Sequence, residues 1–182
     1  FYIQDSGSKI TNFSNLSVNK NSTVFYLKDS EADNQGNILA NGEEAVIFYG
    51  VNSKINNSGI LDAQGNSGVT AIYSKDSTVL NTGDIILGDS IIRDLSIPAN
   101  NNYSVGIYGD NSIIENSVGA KITTGKNAVG IYSKNNSTAA VNYGIIESSK
   151  YGAIGMFAEN GTIQNDGTII LSGDKSIGMA GR

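Results

Sequence analysis

The side chains of this sequence that could do acid–base chemistry are its scattered carboxylates, among them Asp29, Asp62, Asp76, Asp84, Asp110, Glu115 and Glu147. Two such acids can cleave a glycosidic bond when they face each other across roughly 5–10 Å, one protonating the leaving oxygen and the other activating water or attacking the sugar. Asp62 and Glu147 occupy equivalent places in a repeat, before Ala63 and Ser148, but Ile86 and Thr123 fill the places between them. No acidic column persists, and catalysis is not expected. "GAKITTGK", Gly119 to Lys126, approaches the phosphate-loop pattern G-x-x-x-x-G-K, yet five residues separate its glycines and Asn127 stands where a magnesium-binding Ser or Thr belongs. Those residues are expected to be a strand ending in a turn.

Histidine, cysteine and tryptophan are absent. This excludes disulfides, thiolate or imidazole metal sites and histidine-based catalysis. No cofactor or metal is expected. A net charge of −5 and a pI near 4.6, with Arg93 and Arg182 the only arginines, argue against nucleic acid as a partner. Apolar runs fall far short of the roughly 20 residues of a membrane-spanning helix, so this segment is not expected to insert in a membrane.

Two groups could recognise a partner. One is the stretch "GDSIIRDLSIPANNNY", Gly88 to Tyr103, which contains the single proline and interrupts an otherwise regular pattern; residues 89–100 are read as a loop insertion, with Arg93, Asp94, Asn101 and Tyr103 as candidate contacts. The other is a set of tyrosines, Tyr73, Tyr108 and Tyr132. Strict alternation would put Val129 and Ile131 in the core, leaving Ala128, Gly130 and Tyr132, with Ser104, Gly106 and Tyr108, on a flat outer face. Such a face could stack on sugar rings or a protein, although packing of the tyrosines on one another is the preferred reading.

The elements that must carry these residues follow from a repeat. Tyr26, Tyr49, Tyr73, Tyr108, Tyr132, Phe157 and Ala180 recur at spacings of 23, 24, 35, 24, 25 and 23. The long interval holds the insertion, and Tyr2 opens a weaker copy. Three residues on stands Asp29, Asn52, Asp76, Asn111, Asn135 or Asn160, and eight residues on Asn34, Asn57, Asn81, Asn116 or Asn165, with Asn142 two late. Asx residues mark turns because they tolerate the left-handed region. Three short β-like runs lie between these marks, for example "AIGMF", "TIQ" and "TIIL".

Three strands and three turns in about 24 residues describe one rung of a right-handed parallel β-helix. The spacing predicts an all-β solenoid of about 7–8 rungs, a single domain over 1–182 and a rod about 35 Å long. Expected inward columns are Val46, Val105, Val129, Ile154 and Ile177, then Phe48, Ile72, Ile107, Ile131 and Met156, then Ile55, Val79, Ile114 and Ile163, and last Ile38, Leu61, Ile85, Ile122, Ile146 and Ile169. The Asn column is expected to form an internal amide ladder. A leucine-rich repeat lacks support because its L-x-x-L-x-L spacing is missing.

The phrases "VGIYSKNNST…NYGIIES" and "AIGMFAENGTIQNDGTIILSGDKSIGM" resemble passenger domains of fusobacterial autotransporter adhesins across essentially the whole chain. The resemblance implies a β-helical stalk of a cell-surface adhesin, exported through an outer-membrane barrel and displayed outside the cell. It also implies attachment to a protein or glycan on host or bacterial cells. The lack of cysteine suits a passenger that crosses a membrane unfolded. A polysaccharide-processing β-helix enzyme and a purely mechanical spacer are the alternatives. The chain starts at "FYIQ" and stops at "MAGR", within repeats, so it reads as an internal fragment with uncapped terminal rungs, and weak end-to-end self-association is expected.

Overall fold

Each rung begins with a β-branched or aromatic run and turns at an Asx residue. In the computed structural model, which describes residues 1–93 and 101–182, Asp29, Asn52, Asp76, Asn111, Asn135 and Asn160 all sit in the left-handed region, with φ between 49° and 56°. Asn and Asp accept that conformation at less cost than most side chains. The turn then recurs at the same place, and the strands between turns fall into register.

The result is an all-β parallel solenoid of about seven turns, with no helix among the described residues. The first sheet has eight strands, Tyr2–Gln4, Thr23–Lys28, Val46–Val51, Thr70–Lys75, Val105–Asp110, Val129–Lys134, Ile154–Glu159 and Ile177–Gly181. The second and third sheets have seven strands each, and every strand pairs in parallel with its equivalents one rung before and after. No rung can bury its apolar side chains alone; stacking at about 4.8 Å closes each on the next.

The core includes three inward columns, one from each sheet. Phe25, Phe48, Ile72, Ile107, Ile131 and Met156 come from the first sheet, Ala32, Ile55, Val79, Ile114 and Ala140 from the second, and Ile38, Leu61, Ile85, Ile122 and Ile146 from the third. All are at most 1% exposed. Burying each large apolar side chain contributes roughly 1.5–3 kcal/mol. Ile163 and Ile169, expected in these columns, are only partly buried.

One expected column is overturned. Val105 and Val129 are buried, but Val46 and Ile154 are only half-buried and Ile177 is exposed. The neighbouring column, Ile47, Ala71, Gly106, Gly130 and Gly155, points inward instead. A Cβ on Gly106 would meet Ile122 Cγ2 at 3.1 Å, and one on Gly130 would meet Ile146 Cγ2 at 2.9 Å. The reason is a bend. Residues on both sides of this column pair across the sheet, whereas the column itself drops out of the register, so alternation breaks and consecutive residues such as Ile47 and Phe48 both face the core. The flat outer face expected beside the tyrosines therefore does not form, since Ala128, Gly130, Ser104 and Gly106 are buried.

Two polar ladders run inside the turns. Asn12, Asn34, Asn57, Asn81, Asn116 and Asn142 each donate from Nδ2 to Oδ1 of the next asparagine, at 2.7–2.8 Å, ending on Asn165. The late Asn142 realigns because the turn after Lys134 absorbs the extra residues. Most of these amides also donate to a carbonyl two residues on, as Asn57 does to Gly59 and Asn81 to Gly83. The glycines let the rungs approach: a Cβ on Gly83 would lie 2.1 Å from Gly59 O. A second ladder links Ser30, Ser53, Ser77, Ser112 and Asn136, each backbone N–H donating to the next side-chain oxygen.

Candidate binding surface

The insertion is seated on the wall by a small serine clasp. The chain leaves its rung after Ser90 and rejoins at Ser104, whose N–H donates to Ser90 Oγ at 2.9 Å. Ser90 Oγ donates to the Asn127 carbonyl of the next rung at 2.7 Å. Ser104 Oγ donates to the Asp89 carbonyl and accepts from the N–H groups of Gly68 and Val69. Asp89 and Ser90, at the start of the expected loop, thus still belong to the wall. Ile91 and Asn102 then exchange backbone hydrogen bonds of 2.7 and 2.9 Å, forming an antiparallel neck.

Arg93 and Asn101 meet at that neck, where the Arg93 N–H donates to Asn101 Oδ1 at 2.8 Å. The Arg93 guanidinium reaches back to Glu44, with Nη2 2.9 Å from Oε1. That hydrogen bond, with a second from Asn102, holds the Glu44 carboxyl below the usual carboxylate range. Tyr103 is exposed beside them. Asp94, and with it Pro98 and the rest of the insertion to Asn100, lies outside the described residues.

Tyr73, Tyr108 and Tyr132 belong to one continuous stack. The rings of Tyr2, Tyr26, Tyr49, Tyr73, Tyr108 and Tyr132 follow each other at 4.6–5.3 Å between centroids with planes within 22°, and Phe157 lies against Tyr132 at 5.1 Å, tilted by 36°. Parallel strands with one aromatic per rung impose this arrangement, because equivalent side chains sit one strand spacing apart. Its consequence for recognition is direct: both faces of each ring inside the stack are covered by its neighbours. Only edges and hydroxyls reach solvent, so a sugar ring finds no open face on Tyr73 or Tyr108. Desolvation raises the phenol pKa values of Tyr73 and Tyr108, pushing Tyr108 up to about 12. Tyr132 is raised further, first by burial and then by the hydrogen bond its hydroxyl donates to the Glu159 carboxylate.

Glu159 was not among the candidates from sequence. Besides Tyr132 it meets Arg182 Nη2 at 3.2 Å and Lys134 Nζ at 3.8 Å, and the Tyr132 hydrogen bond followed by these cations holds its carboxyl low. The usable signal was the column two residues after the repeat marker (Tyr108, Tyr132, Phe157 and Ala180), where Asp110, Lys134, Glu159 and Arg182 follow one another.

The expected gap between acids is present. Asp62, Ile86, Thr123 and Glu147 form one column of the third sheet, placing the two carboxylates three rungs, about 14 Å, apart. That exceeds the separation of a glycosidase pair. Glu147 is moreover bridged to Lys121 at 3.2 Å. Lys121–Thr123, in the near-miss phosphate loop, is a strand of the third sheet. Among the described residues no helix is long and apolar enough to cross a membrane.

Comparison with known proteins fits this architecture. The model of the family described as BigA third pectate lyase-like domain matches residues 1–182. No curated protein and no solved structure matches the chain. The stacked parallel rungs and the match from first residue to last lead to one assignment: the chain belongs to the BigA third pectate lyase-like domain family.

Proposed function

We propose that this chain is a stalk and recognition segment of an extracellular adhesin, displayed at the cell surface as part of an autotransporter-type passenger. The family and the solenoid fit a surface adhesin-type stalk. Its partner in this reading is a protein or glycan on a host or bacterial cell, met without catalysis, cofactor or nucleic acid. The observation that carries the reading is the seating of the insertion. The largest departure from the rung pattern is tied to Glu44, Gly68 and Asn127 on three other rungs, which holds the neck as a fixed platform on a rigid rod. Rigid walls carrying loops are a common way of presenting recognition residues.

The test removes Ile91–Tyr103 and joins Ser90 to Ser104, as Asn127 and Ala128 are joined one rung later. Binding of the intact and shortened chains to cells and to glycan arrays is then compared. Loss of binding on deletion supports recognition through the insertion. Undiminished binding transfers recognition to the rod wall, and failure of the intact chain to bind leaves a spacer.

A further inference from the structure

We propose that the tyrosine stack is a conduit for one-electron oxidation, along which an electron vacancy left by an oxidant at any ring migrates and is trapped at Tyr132. Six tyrosine rings in succession, from Tyr2 to Tyr132, lie nearly parallel at 4.6–5.3 Å between centroids, close enough for the π systems of neighbours to exchange an electron. Tyr2 and Tyr26 are exposed and open to a diffusing oxidant. The path ends at Phe157, because a phenyl ring without a hydroxyl is harder to oxidise than a phenol.

An oxidised phenol is a strong acid and becomes stable only by losing its proton. Tyr132 donates its hydroxyl to a carboxylate, that of Glu159, which Lys134 and Arg182 keep ionised. Tyr2, at the other end, donates to the carboxamide of Gln4, a poor base. The step balances simply. The oxidant, a one-electron acceptor such as an inorganic or peroxyl radical, gains one electron; the proton passes from Tyr132 Oη to Glu159; a neutral phenoxyl radical and a neutral carboxylic acid remain.

The test exposes the whole chain at neutral pH to azide radical in the presence of a nitroso spin trap and locates the adducts by peptide mass spectrometry. The expected result is an adduct concentrated at Tyr132, despite its lower exposure than Tyr103, Tyr143 and Tyr151. Glu159→Gln should lose that concentration and move adducts to Tyr2 and Tyr26. Tyr73→Phe, which keeps the ring and removes the hydroxyl, should strand adducts at Tyr49 and Tyr26. Circular dichroism checks that both variants stay folded. Labelling that follows exposure alone in the parent chain, or an unchanged Tyr132 adduct in both variants, overturns the proposal.

Discussion

The asparagine ladder and the tyrosine ladder repeat once per rung, yet they stand in opposite environments. Asn34, Asn57, Asn81, Asn116 and Asn142 are at most 1% exposed and donate along a chain of short hydrogen bonds. The tyrosines are held by ring stacking and keep an edge in solvent. The difference shows that repetition alone does not separate architecture from function. A buried amide has no alternative partner, so its column is fixed by the fold. A half-exposed ring can be exchanged for another planar ring with little structural effect, which leaves the hydroxyls free to serve other ends.

The sharpest way to break this contrast is Asn81→Leu. It leaves one Nδ2 hydrogen of Asn57 and the Oδ1 acceptor of Asn116 without partners inside the wall, while the other Asn57 hydrogen keeps the Gly59 carbonyl. At about 1–3 kcal/mol for each buried unsatisfied group, the loss should be about 2–6 kcal/mol, read as a lower urea midpoint at unchanged slope. A shift under 1 kcal/mol would mean that water or a neighbour replaces the amide. Tyr73→Ala should cost about 1–3 kcal/mol for its two ring contacts, in addition to the loss of its partly buried area, while Tyr73→Phe should be close to neutral. Equal losses in the two variants would place the stabilisation in the hydroxyl.

Alkaline titration gives the smallest signal. Burial raises the Tyr108 pKa from 10.0 to about 12, so the folded chain keeps a proton that the unfolded chain has released. This contribution to stability is fully present below about pH 10. It is lost as the pH rises through about 12. Tyrosinate absorbance should show a late component that Tyr108→Phe removes; its persistence in that variant would assign it to another phenol.

Much of this fold was legible because each rung repeats its punctuation. The Asp29-to-Asn160 column announced the left-handed turns, and the Asn34-to-Asn165 column announced the amide ladder, even with Asn142 displaced by two. What failed was the assumption that strands are straight. Gly130 lies between two apolar residues and reads as outward by alternation, but the bend at its column turns it towards Ile146. A period-2 rule cannot register a bend. The surface contacts were illegible for another reason. Arg93 and Glu44 are separated by 49 positions and belong to no shared column, so only the path of the inserted chain brings them together. Tyr132 and Glu159 were closer to reach, since a rung of 25 residues plus two gives their separation of 27.

The amide ladder has a sense as well as a position. In every one of its links the donor lies on the earlier rung and the acceptor on the later one. A rung that has just closed therefore presents an unsatisfied N–H to chain that has still to arrive, at the one corner where the next asparagine must dock. The two edges of the stack therefore differ in kind: towards later rungs this corner offers an N–H, and towards earlier rungs it offers a carbonyl oxygen.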